Sequence, residues 1–165
     1  MEYTNLKISN IKSILEKYNY SKQKLISILH DIQNNSGENY ISEENACYVA
    51  KELNMPISKV YDVMTFHSMF ECTPKGKYII EVCNNAPCRV RNARQITSVL
   101  ERVLNIKVGE TTSDNLFTLK YTSCIGACDI SPAMKIGHDI YGNLTEDKIK
   151  NIIESYKEGN YEKNN

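Results

Sequence analysis

Two closely spaced pairs of cysteines are the residues in this sequence best suited to chemistry. Four residues separate Cys83 from Cys88, three separate Cys124 from Cys128, and thirty-five lie between the two pairs. Paired thiolates are typical ligands of iron–sulfur clusters and of structural zinc ions. If the fold brings the two pairs together, they form a four-thiolate site suited to either kind of metal centre.

The spacing within the pairs favours an iron–sulfur cluster. The four-residue separation of the first pair recurs in plant-type 2Fe–2S sites, where cysteine thiolates hold the cluster. Structural zinc sites accept roughly two to four intervening residues, so zinc stays open as an alternative. A C-x-x-C motif, which thioredoxin-type redox chemistry uses, is absent. Cysteines that remain unligated or form a disulfide are the third alternative.

The elements around the cysteines predict how the pairs meet. Sequences typical of β-strands, over 77–82 and 117–122, each end just before one pair, and a helix is predicted over 90–104. A helix–strand return of this length can place two strand ends side by side. Both cysteine pairs would then lie at one edge of a sheet, which is the geometry that a shared metal site needs.

All the arginines of the chain follow the first pair, at Arg89, Arg91, Arg94 and Arg102. A 2Fe–2S cluster with thiolate ligands carries a formal charge of about −2, or about −3 when reduced. Nearby cations and backbone N–H groups stabilise such a charge. The arginines therefore either act near the cluster or its partner, or belong to a solvated helix face.

The part of the chain before the cysteine pairs predicts a separate helical unit. Apolar residues recur at helical spacing over 5–72, and the turn-rich link 72–76 follows. We therefore predict a helical bundle over 1–72 and a second domain over 73–165. After the link the predicted order of elements is β-α-β-β-β-α. The predicted fold class is α+β, a small helical bundle followed by an α/β domain with a mixed sheet.

Composition and missing motifs exclude several classes of protein. The formal net charge is +0, which argues against a nucleic-acid binder that relies on positive charge. No apolar run approaches the roughly 18 residues that span a bilayer, and the first residues do not resemble a signal peptide. We therefore expect a cytoplasmic protein without a membrane span. There is neither a G-x-G-x-x-G motif after a strand nor a P-loop, so nucleotide or flavin binding by this polypeptide is not expected.

Five stretches of the sequence carry a resemblance to a known family. They are Gly76-Lys-Tyr-Ile-Ile-Glu-Val-Cys83, Cys88-Arg-Val-Arg91, Gly109-Glu-Thr-Thr112, Cys124-Ile-Gly-Ala-Cys128-Asp-Ile-Ser-Pro-Ala-Met134 and Val60-Tyr-Asp-Val-Met-Thr-Phe-His-Ser-Met-Phe70. They resemble the thioredoxin-like 2Fe–2S ferredoxin family, specifically the E-type subunits of NADH dehydrogenases and NAD(P)-linked hydrogenases. Two positions depart from the family pattern: His67 stands where tyrosine is common, and Asn92 where glycine is usual.

The resemblance implies a thioredoxin-like second domain and one 2Fe–2S cluster held by Cys83, Cys88, Cys124 and Cys128. It further implies an electron-transfer subunit without a substrate site of its own. Its expected partner is a flavin-containing, NAD(P)H-oxidising iron–sulfur subunit, with which it exchanges single electrons. A larger iron–sulfur subunit, such as an iron hydrogenase or a formate dehydrogenase, would complete the complex, and the helical bundle would serve for docking. The alternative function is a zinc-stabilised adaptor subunit without a redox role.

Three further residues with metal-binding side chains have structural interpretations. Cys47 is expected to pack in the core beside the apolar stripe of the third helix, because a buried thiol behaves as a small apolar group. Cys72 has no partner at metal-binding spacing and is expected to be structural. His67 is expected to pack or to cap a helix, since a Rieske site needs histidines paired with cysteines in its motif.

The remaining expectations concern packing and helix ends. A set of large apolar residues at the end of the fourth helix is expected to be mostly core, with an exposed subset that could dock a partner: Met64, Phe66, Met69 and Phe70. The predicted helix N-caps are Ser21, Ser42 and Thr145. A cis peptide bond before Pro132 is left open.

Overall fold

In the computed structural model, which describes residues 8–159, the chain forms two compact units. The first extends to Lys75 and the second begins at Gly76, so the division falls inside the turn-rich link at 72–76. Each unit has its own hydrophobic core. Within the described range, no helix is both long enough and apolar enough to cross a membrane.

The first unit is a group of short helices around one apolar core. Its elements are α1 (Ile8–Lys17), a 3₁₀ turn (Lys22–Lys24), α2 (Leu25–Asn35), α3 (Glu43–Glu52) and α4 (Ile57–Phe66). Ser42 caps α3 as predicted, because its side chain accepts a hydrogen bond from the Asn45 N–H. Buried residues at helical spacing form the core, among them Ile11, Leu15, Ile28, Leu29, Ile32, Val49, Val60 and Met64.

The start of α2 differs from the prediction that Ser21 caps it. Ser21 makes no side-chain capping hydrogen bond, and its carbonyl accepts from the Lys24 N–H at 3.0 Å instead. The chain between these residues forms the tighter 3₁₀ turn, and α2 begins only at Leu25. The Ser21 hydroxyl is therefore one turn too early to reach the free N–H groups of α2.

The predicted core position of Cys47 is wrong, because the residue is exposed. α3 buries Ala46, Val49 and Ala50. Each successive residue is rotated by about 100° around a helix, so Cys47 lies on a different face from Ala46 and points to solvent. Cys72, which follows α4, is exposed as well.

The end of α4 is only partly buried. Met64 and Phe70 are in the core, but Phe66 is 83% exposed and Met69 is 44% exposed. His67 is the C-cap residue of α4, and its ring lies edge-on to the rings of Phe66 and Phe70, with centroid distances of 5.1 and 6.2 Å. His67 therefore packs between two aromatic rings, in line with its structural interpretation.

The second unit has a mixed four-stranded sheet in the order β2-β1-β3-β4. Its elements are β1 (Tyr78–Cys83), α5 (Ala86–Val90), α6 (Ala93–Leu104), β2 (Phe117–Thr122), β3 (Met134–Ile136), β4 (Asp139–Tyr141) and α7 (Glu146–Glu158). β1 pairs in parallel with β2 and antiparallel with β3, which pairs antiparallel with β4. The α+β prediction, with a mixed sheet after a helical unit, is confirmed.

One core lies between the sheet and the helices α6 and α7. Alternate residues of the strands point into it, as the period of a strand requires: Ile80, Val82, Phe117, Leu119, Met134 and Ile136. The helices contribute apolar residues at helical spacing: Ile96, Val99, Leu100, Ile149, Ile152 and Ile153. Thr145 caps α7 as predicted, because its side chain accepts from the Lys148 N–H.

The helix predicted over 90–104 begins later, at Ala93, and a separate short helix precedes it. The short α5 starts earlier, with Asn85 as its N-cap and Pro87 in its first turn, and it contains Cys88. Asn92 then breaks the chain with a left-handed backbone (φ 65°) before α6 begins. Glycine or asparagine suits this conformation, which explains why asparagine stands where the family usually has glycine.

Candidate metal centre

The first cysteine pair is buried at the end of β1 and inside α5. Cys83 is the last residue of β1, and its N–H donates to the Ala133 carbonyl at 3.2 Å. Cys88 lies in α5, and both side chains are 1% exposed and pack against Ala93. A buried strand end and a short helix thus fix the first pair.

The second pair lies in the loop after β2 and is more accessible. Cys124 is exposed and Cys128 is partly buried, and their sulfur atoms are 3.6 Å apart. Gly126 lies between them in a left-handed conformation (φ 81°), which favours glycine. Its backbone N–H is the main reason why the pKa of Cys124 lies below its ordinary value.

The parallel pairing of β1 and β2 brings the two pairs together. Cys83 lies opposite Thr122 in the register, so both strands end at the same edge of the sheet, just before Cys124. Cys83 lies near enough to Cys88 and Cys124 to influence the pKa of each of their thiols. The structure therefore brings all the predicted site cysteines together at the carboxyl ends of neighbouring parallel strands.

The pKa values of the thiols reflect these contacts. The hydrogen bond from the Gly126 N–H, followed by that from Cys128, lowers the pKa of Cys124 below its ordinary value. Burial, followed by the hydrogen bond with Cys83, raises the pKa of Cys88. The hydrogen bond with Cys124, followed by burial, raises the pKa of Cys128. Of the second pair, Cys124 is therefore the thiol that is more readily present as a thiolate, the form that binds metals.

The donor set fits a binuclear cluster. A tetrahedral metal ion with metal–sulfur bonds of about 2.3 Å holds its sulfur ligands about 3.8 Å apart, and the 3.6 Å between Cys124 and Cys128 is close to this value. Each iron of a 2Fe–2S cluster takes two thiolates from the protein, so the two cysteine pairs supply the thiolates that the cluster needs.

The loop that carries the second pair is held by residues that sequence reasoning missed. The Ser131 hydroxyl donates to the Cys128 carbonyl at 2.7 Å, and the Ser131–Pro132 peptide bond is cis. Ile130 packs on Gly142 so closely that a Cβ at Gly142 would overlap its side chain. In the sequence, only Pro132 and Gly142 indicated this arrangement, because the contacts join segments that are distant in sequence.

Arg91 also contacts this loop. Its guanidinium Nη1 donates to the carbonyl oxygens of Cys128 and Asp129, at 3.4 and 3.3 Å. Arg89 and Arg94 are exposed and make no side-chain hydrogen bond or ion pair within the described part of the chain. Of the two interpretations of the arginines, a role near the metal site fits Arg91, and a solvated helix face fits Arg89 and Arg94.

Comparison with known families identifies the chain. The family model of the thioredoxin-like [2Fe-2S] ferredoxins matches residues 11–157. The chain belongs to this family. Its cofactor is one 2Fe–2S cluster, in agreement with the donor set described above.

Individual proteins of the family align over most of the chain. The chain is 38% identical over 147 residues to the E-type subunit of the NADH-quinone oxidoreductase of Rickettsia typhi, an alignment that covers 88% of this chain and 86% of that protein. It is 31% identical over 146 residues to the HndA subunit of the NADP-reducing hydrogenase of Solidesulfovibrio fructosivorans, with 88% and 84% covered. The expected resemblance to both groups is thereby confirmed.

One solved structure shares the fold over most of the chain. The crystal structure of an NAD+-reducing [NiFe]-hydrogenase in the air-oxidized state matches with a TM-score of 0.72 at 19% identity, over 82% of this chain. The match spans 23% of that hydrogenase chain, so this chain corresponds to about a quarter of its length. At this level of identity the likeness shows the fold alone.

Proposed function

We propose that this chain is an electron-transfer subunit whose 2Fe–2S cluster is held by Cys83, Cys88, Cys124 and Cys128. The observation that carries the proposal is the convergence of both cysteine pairs at the carboxyl ends of the parallel strands β1 and β2. When bound, the cluster supplies reversible uptake of one electron. The buried pair shields its side of the site from water, and the Gly126 N–H stabilises negative charge on the Cys124 sulfur.

The proposed partners follow from the relatives, which are named as subunits of an NADH-quinone oxidoreductase and of an NADP-reducing hydrogenase. We infer that this chain exchanges single electrons with a flavin-containing, NAD(P)H-oxidising iron–sulfur subunit. A larger iron–sulfur subunit, of the iron hydrogenase or formate dehydrogenase type, completes the proposed complex. The flavoprotein approaches the exposed end of the site at Cys124, and the helical unit serves as the docking module, with Phe66 as its most exposed large apolar residue.

The ligand assignment is tested by replacing each cysteine with serine and purifying the proteins without oxygen. We expect the natural protein to be red-brown, to bleach with dithionite and to contain iron and sulfide in equal amounts. Serine at Cys83, Cys88, Cys124 or Cys128 should remove or strongly alter this absorption. Cys47→Ser and Cys72→Ser are matched controls, because both residues are exposed and lie in the helical unit.

A colourless protein that carries one zinc ion would overturn the cluster proposal in favour of the zinc-stabilised adaptor. Unchanged absorption in one of the four site variants would remove that cysteine from the ligand set. An equal loss of absorption in Cys47→Ser would mean that the colour reports general misfolding rather than ligation.

The partner proposal needs a separate experiment on the native complex. The chain, carrying an affinity tag, is isolated from its own cells without oxygen, and the associated subunits are analysed for flavin, iron and NAD(P)H oxidation. We expect a flavin-containing subunit that reduces the cluster when NADH or NADPH is added. Isolation of the cluster-loaded chain without any flavoprotein would contradict the partner proposal and leave the ligand assignment intact.

A further inference from the structure

We propose that Arg91 is a positioning residue that ties the two ligand segments together and raises the reduction potential of the cluster. The inference rests on the proposed function, because it takes the two cysteine pairs as the cluster ligands. It assigns to one arginine a task that the other exposed arginines of the same segment do not share.

The position of Arg91 is fixed by the helix that carries Cys88. Arg91 is the C-cap residue of α5, and its N–H donates to the Pro87 carbonyl at 3.2 Å. Its backbone therefore moves with the first ligand segment. Because α5 is only 5 residues long, a displacement at its end is transmitted directly to the Cys88 thiol.

The side chain of Arg91 reaches the second ligand segment. Its Nη1 donates to the carbonyl oxygens of Cys128 and Asp129, at 3.4 and 3.3 Å. These distances are long for hydrogen bonds, but the donor is charged and both acceptors belong to one loop. The Cys128 carbonyl is also the acceptor of the Ser131 hydroxyl. Arg91 and Ser131 thus bind the same carbonyl oxygen, that of the proposed ligand Cys128.

The charge of Arg91 also favours the reduced form of the cluster. A guanidinium stays protonated at any pH a protein tolerates, and this one lies next to the backbone of the ligand Cys128. Reduction adds one negative charge to an already negative cluster, so a fixed cation nearby stabilises the reduced form more than the oxidised form. Removing the cation should therefore lower the reduction potential.

Arg89 and Arg94 supply matched controls from the same stretch of sequence. Both are exposed, and within residues 8–159 neither side chain makes a hydrogen bond or an ion pair. Replacing either one by glutamine removes the same charge as Arg91→Gln but breaks no contact with the loop. All three arginines are exposed, so salt screens their charges alike, and the contact with the loop is what distinguishes Arg91.

The test compares Arg91→Gln, Arg91→Lys, Arg89→Gln and Arg94→Gln in the cluster-loaded full chain. The reduction potential is measured at low and high salt, and cluster loss to an iron chelator is followed by absorption. For Arg91→Gln we expect a lower potential than for Arg89→Gln and Arg94→Gln, with a difference that shrinks at high salt because Arg91 is exposed. We also expect cluster loss faster by about tenfold, the size typical of contacts that orient metal ligands. Arg91→Lys should restore most of the potential, because it keeps the charge, but should lose the cluster faster than the natural protein.

A further readout does not depend on the cluster. In the metal-free protein, we expect the backbone amides of residues 124–131 to exchange with deuterium faster in Arg91→Gln than in Arg89→Gln. If the faster exchange is confined to residues 124–131, it supports the proposal that Arg91 links the two ligand segments. Equal exchange in the two variants would overturn it.

The outcomes separate this inference from the proposed function. If the natural protein has a cluster but Arg91→Gln matches Arg89→Gln in potential and cluster loss, the inference fails and the ligand assignment stands. If Arg91→Lys has the same lowered potential as Arg91→Gln, the effect on potential does not come from the charge. If the natural protein itself has no cluster, the proposed function fails.

Discussion

Individual residues near the cysteine pairs are constrained by backbone conformation and close packing rather than by chemistry. Asn92 has a left-handed backbone between α5 and α6, and Gly126 has one between the cysteines of the second pair. Gly142 lies where a side chain would overlap Ile130. These residues are not proposed as ligands, yet their conformation and packing shape the segments next to the cysteine pairs.

The conformation of Asn92 predicts the effect of replacing it. Asn92→Ala should lower the free energy of unfolding by about 1 kcal/mol, because an ordinary side chain is strained in a left-handed backbone. Asn92→Gly should leave it unchanged or raise it. Chemical denaturation of the cluster-loaded protein measures both changes. Gln95→Ala, at an exposed site in the first turn of α6, is the control and should have little effect. Equal stability of the alanine and glycine variants would contradict the prediction.

The packing of Gly142 on Ile130 predicts a second effect. Gly142→Ala should lower the stability by about 1–3 kcal/mol, the usual cost of overpacking, and should speed cluster loss, because Ile130 belongs to the loop of Cys128. The double variant Gly142→Ala with Ile130→Ala should recover part of the loss, since it removes most of the overlapping atoms. Thermal unfolding measures the stability, and the rate of cluster loss to an iron chelator measures the effect on the site. If Gly142→Ala alone changed neither quantity, the loop would be free to shift away from the added methyl group.

At the scale of elements, the long strands and helices follow from the sequence, and the short α5 does not. Strand β2 (Phe117–Thr122) lies where its apolar pattern predicts it. Helix α5 has only 5 residues, too few for a periodic apolar pattern. The signals for it were local ones, the capping Asn85 and Pro87 in the first turn.

The contact between α1 and α2 gives a prediction about pH. Asp31 accepts hydrogen bonds from Lys17 Nζ at 2.8 Å and from the Tyr18 hydroxyl at 2.9 Å. The hydrogen bond with Lys17 is the main reason why the pKa of Asp31 lies below its ordinary value. A lowered folded-state pKa means that the carboxylate stabilises the fold above the ordinary carboxyl pKa, and that this contribution disappears as the pH falls through the lowered value.

We therefore expect Asp31→Asn to destabilise the helical unit more at about pH 7 than at about pH 3, because the contribution of the carboxylate is already declining below the ordinary carboxyl range. Denaturant unfolding followed by the helical circular dichroism signal measures the difference. Asp62→Asn is the control, because Asp62 is exposed on α4 and its side chain forms no ion pair in the described part of the chain. A stability loss that is the same at both pH values would contradict the assignment.

At the scale of the whole molecule, the two units have separate cores, and both cysteine pairs of the proposed metal site lie in the second unit. We expect two thermal transitions in the full chain, since compact units with their own cores unfold as cooperative units. Removing iron with a chelator should shift only the transition of the second unit, because a bound group stabilises only the unit that holds it.

Two core variants identify the transitions. Val60→Ala lies in the core of the first unit and Leu100→Ala in that of the second, and both residues are fully buried. Each variant should lower the midpoint temperature of one transition. Leu100→Ala should reduce the free energy of unfolding of the second unit by about 2–5 kcal/mol. A single transition that moves as a whole with either variant would show that the units unfold together.

The amino-acid sequence alone establishes the kind of site, since thiolates paired at this spacing belong to a small set of metal centres, and apolar periodicity predicts most of the elements around them. It also indicates the α+β class, because the change from helical to strand patterns is local information. The sequence leaves open whether the cysteine pairs meet, which arginine contacts them and what holds their loop. Those points depend on strand register, on the cis bond before Pro132 and on contacts between distant segments, such as Arg91 with Cys128. They emerge only in the folded chain, because contacts distant in sequence leave no periodic pattern along it.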